Sequence, residues 1–292
     1  MTKQTYTLEF LTPCFCAGAE PALAEVRAPS IRGRLRWWFR VLGGSREDEG
    51  KVFGETAGDS GSASSLIVRV EEGVVAERWQ PVQFNQGSNT GYLLYFAKAS
   101  GDGARWVEGG AIPVGAKFEL QLLWRRKLQP QLQALFDLAL ESFLILGSLG
   151  LRSTRGLGCF ATEQRPFSRE CFDDLRARIQ QRAPTFQLKF GNFEGAGAEQ
   201  DLLNALGRQL RGLRKICPAG AQSPLGASIP RQASAVYLRP VRTTDGAFKI
   251  VVFEAPAERV LRPPARRVAP ILAAGVPEPH DSSPRGGRIR RF

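Results

Sequence analysis

Hydrophobic and polar residues alternate along several short segments of the chain, and this period of two predicts β-strands. The first segment, 5–11, alternates Thr and Tyr with Leu and Phe and ends just before Pro13. Residues 235–241 and 248–253 predict a hairpin, because the Asp245-Gly246 pair between them is typical of a tight turn. The same pattern predicts further strands at 66–71, 91–96, 117–124, 159–163 and 186–190.

Apolar residues recur at helical spacing in other parts of the chain. The clearest case runs from Pro130 to Leu146, and a second helix is predicted over 31–42, with Ser30 as its N-cap. The pattern also predicts helices at 173–181 and 199–216 and a polar loop at 45–65. Pro and Arg dominate from 256 onward, and the last 25 or so residues are predicted to be a mobile basic tail.

The order strand–helix–strand–strand–helix–strand, followed by a looser version of itself, predicts an α+β fold. We expect two tandem ferredoxin-like (RRM-like) domains with a glycine-rich loop. The expected boundaries are an N-terminal domain at 1–165, a linker at 166–184, a second domain at 185–258 and a basic tail at 259–292.

Charge and composition change this picture by suggesting a partner. Lys and Arg number 40 against 28 Asp and Glu, which gives the 292-residue chain a net charge of +12 at pH 7. A charge of this size favours a polyanionic partner, nucleic acid before membrane. Most of the basic residues are Arg, whose planar guanidinium suits bidentate phosphate contacts, although a GC-rich genome also enriches Arg.

Several classes of chemistry are excluded by residue counts. The single histidine, His280, stands in a Pro-rich segment, which argues against His-based triads and imidazole acid–base catalysis. The odd set of cysteines has no C-x-x-C spacing, which argues against a zinc site or a disulfide framework (Cys14, Cys16, Cys159, Cys171, Cys217). We expect no metal, no cofactor, no membrane span and a reducing, cytoplasmic location.

The first candidate site is a helix that carries a stripe of arginines. Residues 27–40 contain five arginines and no acid. Ile31, Leu35, Trp38, Phe39 and Leu42 share one face for the core, and the stripe lies on another face with Trp37 beside it (Arg32, Arg36, Arg40). Like charges at this spacing destabilise a helix, so we expect them to meet phosphates, with Arg27 and Arg34 at the rim or against a neighbouring subunit. The alternatives are neutralisation by Glu25 or by the acids at 47–49, and a core role for Trp37.

The second candidate site is a glycine- and arginine-rich loop at 147–158. Its glycines are expected to give positive φ and close approach to a ligand, and its arginines to supply charge for a phosphate (Gly147, Gly150, Gly156, Gly158; Arg152, Arg155). It is neither a Walker loop nor a dinucleotide fingerprint, because it lacks Gly-Lys-Ser/Thr and follows a helix. A plain turn is the alternative.

Two further groups of basic residues could extend the site. Arg208, Arg211, Arg214 and Lys215 lie at helical spacing, although a solvated helix face is equally consistent with the pattern. The tail could bind RNA electrostatically or remain disordered (Arg266, Arg267, Arg285, Arg288, Arg290, Arg291).

Residues 8–13 and 25–40, together with the long helix that leads into 147–158, resemble the RAMP superfamily of CRISPR-associated proteins. The likeness is strong over 1–165, continues faintly at 226–234, which includes Arg231, and is closest to the family of the first-numbered subunit of the type III-B Cmr complex. The resemblance implies ferredoxin-like domains, binding of CRISPR RNA and target single-stranded RNA near the 3′ end of the guide, and assembly with other RAMP subunits in antiviral defence. It implies no catalytic residue.

Two other functions remain open from the sequence. A metal-dependent RAMP endoribonuclease would need carboxylates, and acidic pairs occur at Asp173-Asp174 and Glu71-Glu72. Neighbouring carboxylates on a helix or strand diverge, so neither pair forms a metal site by itself. A protein-interaction scaffold that never touches RNA would instead use the arginines against acidic subunits.

Overall fold

A computed structural model describes most of the chain as a mixed α+β protein with two antiparallel sheets. The described residues are 2–16, 23–55, 61–71, 87–97, 111–195, 198–217, 220, 222–227, 231–263, 265–267 and 269–279.

Within these residues the strands are β1 Thr2–Phe10, β2 Leu66–Glu71, β3 Lys117–Trp124, β4 Phe160–Thr162, β5 Gln187–Gly195, β6 Val236–Arg242 and β7 Phe248–Glu254. The α-helices are α1 Ala28–Val41, α2 Arg46–Phe53, α3 Asn89–Leu93, α4 Pro130–Leu146, α5 Arg169–Arg182, α6 Glu199–Ile216 and α7 Ala257–Val260. Short 3-10 turns occur at Tyr95–Ala97 and Ala265–Arg267.

The first sheet has the strand order β2-β3-β1-β4, with every neighbouring pair antiparallel. Alternate residues of β1 point into the core, where Leu8 and Phe10 are completely buried. α1 buries the face that its spacing predicts, with Ile31, Leu35 and Trp38 in the same core. This strand order is the one that a ferredoxin-like unit requires.

The second sheet has the order β5-β7-β6, with α6 packed against it. The described residues of this half form three strands, whereas a ferredoxin-like unit has four. The expectation of two ferredoxin-like units in tandem therefore stays a prediction. β6 and β7 pair from Val236 with Glu254 to Arg242 with Phe248, which is the predicted hairpin.

The two halves share part of one hydrophobic core. Phe253 and Tyr237 of the second sheet stack 4.6 Å apart and belong to the same buried cluster as α1 and α4. At the surface, Arg242 donates to both carboxylate oxygens of Glu9, at 2.7 and 3.0 Å. The segment 166–184 contains α5, which buries Phe172 in that cluster. The predicted domain boundaries themselves stay a prediction.

Four local expectations are wrong. Residues 91–96 form α3 and a 3-10 turn instead of a strand, because Ser88 caps the helix by accepting from the N–H of Gly91. The predicted loop at 45–65 contains α2, which Ser45 caps. Ser30 lies inside α1, whose N-cap is Arg27 with no side-chain cap.

The fourth concerns the predicted mobile tail. The described part of that tail, 269–279, packs against the protein with Leu272 buried. α7 and the buried Leu261 come before it. The backbone N–H of Leu272 donates to the Glu254 carboxylate at 3.0 Å, so a buried polar contact fixes this segment. Residues 280–292, with His280 and the last arginines, lie outside the described residues.

Candidate nucleic-acid interface

The arginine stripe of α1 lines a groove that α1 forms with α2. This α1–α2 groove has a volume of about 890 Å³, and its described lining combines four arginines with two glutamates (Arg32, Arg36, Arg40, Arg46; Glu49, Glu55). Ser62 and Ser64 also line the groove, and the Ser64 hydroxyl donates to the backbone carbonyls of Val52 and Leu66. The lining therefore carries more positive than negative charge.

Glu49 is the acid that meets the stripe. Its carboxylate lies 2.5 Å from Nε of Arg36 and 3.7 Å from Nε of Arg40. The Glu49 side chain is 6% exposed, whereas those of Arg36 and Arg40 are 39% and 55% exposed. Neutralisation by 47–49, which the sequence left open, thus applies in part, because one carboxylate serves two guanidinium groups that still face solvent.

Arg32 completes the stripe at the other end of the groove. It donates to the backbone carbonyl of Phe53, and burial together with the nearby charge of Arg36 lowers its pKa. Within the described part of the chain, its Nε atom is buried and has no hydrogen-bond partner. A ligand oxygen at that position would satisfy this donor.

Arg34 and Trp37 lie on another side of α1 and pack inside the protein. Nε of Arg34 donates to the carbonyl of Ser148 at 3.1 Å, and its guanidinium lies 5.6 Å from the centre of the Trp37 ring. Trp37 is half-buried, with its ring centre 5.0 Å from those of Trp38 and Tyr237. Both residues therefore connect α1 to the rest of the fold, as the core alternative for Trp37 required. Arg27 is exposed at the N-cap.

The glycine-rich loop runs between the two sheets. Positive φ occurs as predicted at Gly150, Gly156 and Gly158, while Gly147 has a φ of −76°. The close approach is to the protein itself: a Cβ on Gly158 would lie 2.0 Å from the carbonyl of Leu149. The N–H of Gly158 donates to the carbonyl of Pro13 at 2.9 Å. Packing within the protein therefore accounts for glycine at these positions. A ligand close to the loop backbone is not required to explain them.

The two arginines of this loop have opposite environments. Arg155 is buried and donates to the carbonyl of Leu225, and burial lowers its pKa to about 9. The expectation that Arg155 supplies charge to a phosphate is wrong, because its side chain is buried and its guanidinium is used by the carbonyl of Leu225. Arg152 is half-exposed at the tip, and its guanidinium lies 4.4 Å from the centre of the Tyr95 ring.

Arg239, which the sequence did not single out, is also buried beneath the loop. Its Nε donates to the carbonyl of Leu146 at 2.6 Å, and its Nη1 donates to the carbonyls of Leu238, at 2.7 Å, and Ser153. Burial lowers its pKa to about 10. The sequence signal that could have identified Arg239 is a single arginine among the apolar residues of a predicted strand. Arg239 holds the end of α4, the loop and β6 together.

In the second group of basic residues, on α6, some side chains bind backbone carbonyls and others are exposed to solvent. Arg211 donates to the carbonyls of Gly87 and Ser88, and Arg214 to those of Leu225 and Gly226. The sequence did not predict these partners, because only the fold brings Gly87 and Ser88 to Arg211 and turns the segment after α6 back onto Arg214. Lys215 and Arg231 are exposed and do not line the α1–α2 groove.

The acidic pairs considered for a nuclease have other partners. Asp173 lies 2.8 Å from Arg169 and 2.9 Å from Arg176, and Asp174 pairs with Arg178 at 2.8 Å. The carboxylate of Glu71 accepts from Gln121, while Glu72 lies outside the described residues. No group of three His, Cys, Asp or Glu side chains in the described ranges could hold a metal ion. Nor is any helix there long and apolar enough to cross a membrane.

Comparison with known proteins identifies the family. A family model described as the RAMP superfamily matches residues 7–161, more than half of the chain. The chain belongs to the RAMP superfamily. The match runs from within β1 to within β4 and includes α1 and the glycine-rich loop, and it confirms the resemblance that the sequence suggested.

Two curated relatives come from Pyrococcus furiosus. The CRISPR system Cmr subunit Cmr1-1 is 31% identical over 160 residues, which is 52% of this chain but only 44% of that protein. Cmr subunit Cmr1-2 is 28% identical over 184 residues, 54% of this chain and 94% of that protein. The chain is therefore similar to Cmr1 while spanning less than half of the longer relative.

Solved structures show the same fold. The apo crystal structure of Cmr1 from Pyrococcus furiosus superposes with a TM-score of 0.57 at 19% identity, covering 92% of each chain. A chain in the cryo-EM structure of the type III-B Cmr-beta complex bound to cognate target RNA has a TM-score of 0.52 at 10% identity, covering 88% of this chain and 94% of that one.

Proposed function

We propose that this chain is a non-catalytic RNA-binding subunit of a type III-B Cmr complex. Its partners would be other RAMP subunits, CRISPR RNA and target single-stranded RNA, contacted near the 3′ end of the guide during antiviral defence in the cytoplasm. The named Cmr1 relatives and the shared fold support the assignment to such a complex. We also propose that the two halves are ferredoxin-like units in tandem.

The observation that carries the RNA-binding part is the α1–α2 groove. Its stripe arginines follow one another at every fourth residue of α1, so their Cα atoms are separated by about 6 Å along the helix. Successive phosphates of an extended single strand are separated on the same scale. Arg32, Arg36 and Arg40 would each contact a phosphate, and Arg46 would add a fourth positive charge from α2.

Glu49 holds the arginines of the groove in place when no RNA is bound. Without RNA, its carboxylate holds Arg36 and, more loosely, Arg40. A phosphate competes for the exposed guanidinium N–H groups and need not displace Glu49, because Arg offers five donors in a planar fork. The groove would therefore bind RNA with its arginines already oriented.

The test is salt-dependent binding of single-stranded RNA by the full chain. Four phosphate contacts predict that log K falls with log salt with a slope of about −3. Reversing Arg36 and Arg40 to Glu should weaken binding and lower that slope to about −1 to −2. Because this change leaves the buried Glu49 beside like charges, the melting temperature should fall, and binding is measured well below it.

The matched control reverses Arg176 and Arg169 on α5. Arg176 is 38% exposed, close to the 39% of Arg36, and both control residues pair with one carboxylate, Asp173. This double variant makes the same change in net charge away from the groove, so it should lose little affinity. Equal losses in the two double variants would show that net charge alone attracts RNA, and would contradict a site in the groove.

The non-catalytic part of the proposal has its own test. Labelled RNA is incubated with the purified chain in the presence of Mg²⁺, Mn²⁺ or EDTA. We expect intact RNA under all three conditions. Cleavage that depends on the metal and is retained through purification would overturn this part and support an endoribonuclease.

A further inference from the structure

Tyr95 is a large aromatic side chain that the fold leaves in solvent. It is 54% exposed, and it stands beside the exposed tip of the glycine-rich loop, where Leu151 is also exposed. An exposed tyrosine ring offers flat apolar area, with a hydroxyl at its edge, that a binding partner can cover. Tyr95 lies outside the lining of the α1–α2 groove.

The segment that carries Tyr95 is fixed to the core. The ring of Tyr95 meets that of Phe96 edge to face at 6.4 Å, and Phe96 meets the buried ring of Phe15 at 5.0 Å. The carbonyl of Phe15 in turn accepts the N–H of Leu151 at 2.8 Å. Tyr95 and the loop tip are thus held at one fixed distance by the same buried residue.

Arg152 holds a backbone conformation that its side chain does not favour. Its φ is +58°, and it is the one non-glycine residue with positive φ among the described residues. Glycine adopts this conformation without strain, so an arginine here indicates a role for the side chain. That side chain places its guanidinium 4.4 Å from the centre of the Tyr95 ring and 5.3 Å from that of Phe96.

We propose that Tyr95 and Arg152 form a stacking site for an unpaired nucleobase of the bound RNA. This inference rests on the proposed RNA-binding function and adds a base contact to the phosphate contacts of the groove. Aromatic rings and guanidinium planes both stack on bases, and such stacking tolerates any base because every base has a π-face. The guanidinium of Arg152 lies against both rings, so it can extend the stacking surface and attract a phosphate of the same strand.

The experiment compares two probes on the full chain. One is a ten-nucleotide oligouridine, and the other is the same oligomer with abasic ribose at every position. Tyr95→Ala should weaken oligouridine binding by about 5- to 100-fold, leave abasic binding unchanged and keep the salt slope. Tyr95→Phe should bind like the native protein, and Arg152→Lys, which keeps the charge but loses the plane, should weaken oligouridine binding only.

Ile216→Ala is the matched control, because Ile216 is also 54% exposed but lies at the end of α6. It should bind both probes normally.

The outcomes separate the stacking site from the RNA-binding function. Normal oligouridine binding by Tyr95→Ala, with the salt slope intact, would overturn the stacking site and leave RNA binding in place. Equal losses on both probes would also overturn it, since the effect would then not involve bases. Defective assembly with Cmr subunits, with RNA binding unchanged, would reassign Tyr95 to a protein contact. No salt-dependent binding of either probe by the native chain would refute the proposed function itself.

Discussion

Replacing Glu49 with Gln removes the buried carboxylate that holds Arg36 and Arg40, and it should strengthen RNA binding. A phosphate bound to Arg36 would lie about 7 Å from that carboxylate, where two like charges repel by about 2 kcal/mol at an effective dielectric constant of 20. Screening at physiological salt reduces this to about 1 kcal/mol, because the Debye length is then only about 8 Å. We therefore expect a gain in affinity of about fivefold.

The same change should destabilise the free protein. The amide introduced by Glu49→Gln would keep an acceptor oxygen for Arg36 but lose the charge, and the 2.5 Å contact is charge-assisted. Because Arg36 is partly exposed, the loss in free energy of unfolding should be about 1 kcal/mol. Stability and RNA affinity should thus move in opposite directions.

Fluorescence anisotropy with single-stranded RNA at two salt concentrations measures the affinity, and urea denaturation measures the stability. Asp173→Asn is the matched control, since Asp173 likewise pairs with two arginines, Arg169 at 2.8 Å and Arg176 at 2.9 Å, but lies outside the groove. The control should leave affinity unchanged. Unchanged or weaker RNA binding by Glu49→Gln, in a protein that still folds, would refute the placement of RNA over this stripe.

Three further predictions concern stability and reactivity. Arg239→Met removes a buried guanidinium that donates to three backbone carbonyls, of which that of Ser153 also accepts from the Ser148 hydroxyl. The free energy of unfolding in urea should fall by about 2–4 kcal/mol, and a variant of native stability would contradict this role. Hydrogen bonds from Arg242 lower the pKa of Glu9, so this pair stabilises the fold above the ordinary value of 4.5 and stops doing so as pH falls through the folded-state pKa. Glu9→Gln should therefore cost about 1–2 kcal/mol at neutral pH and progressively less in acid, and a constant difference across the titration would argue against the linkage. The thiol of Cys16 should be alkylated before the other cysteine thiols, because hydrogen bonding from Cys14 lowers the pKa of Cys16 while burial raises the pKa of Cys14. Peptide mass spectrometry after brief iodoacetamide treatment should find the label on Cys16, and labelling of Cys14 first would contradict this prediction.

The long periodic elements could be predicted from the sequence because local pattern and tertiary packing agree there. α4 and α6 have the predicted bounds, and the predicted apolar face of α1 is the buried one. The prediction of a strand at 91–96 was wrong because a short run of aromatic and aliphatic residues fits a strand as well as a helix. The start of α2 could have been predicted from the sequence, since Ser45 followed by acidic residues is a typical helix N-terminus.

The candidate site was predictable in its charge but not in its environment. The sequence shows the stripe on α1, yet only the fold brings the buried carboxylate of Glu49 to Arg36. Arg152 and Arg155 are three residues apart in one loop, and nothing local distinguishes them. The difference arises because the loop packs on the second sheet, where Leu238 donates its N–H to the carbonyl of Thr154.

Arginine therefore serves two purposes in this protein, and the partner of each guanidinium separates them. Arg155 and Arg239 donate to backbone carbonyls in the interior, where burial lowers their pKa and no RNA can reach them. Arg36 and Arg40 share one carboxylate and keep much of their surface in water. The net charge of +12 thus overstates the charge available to a nucleic acid, because part of it lies in the interior. If RNA follows the exposed arginines, affinity should depend on the few guanidinium groups of the α1–α2 groove, whereas replacing the buried ones should alter stability before it alters binding.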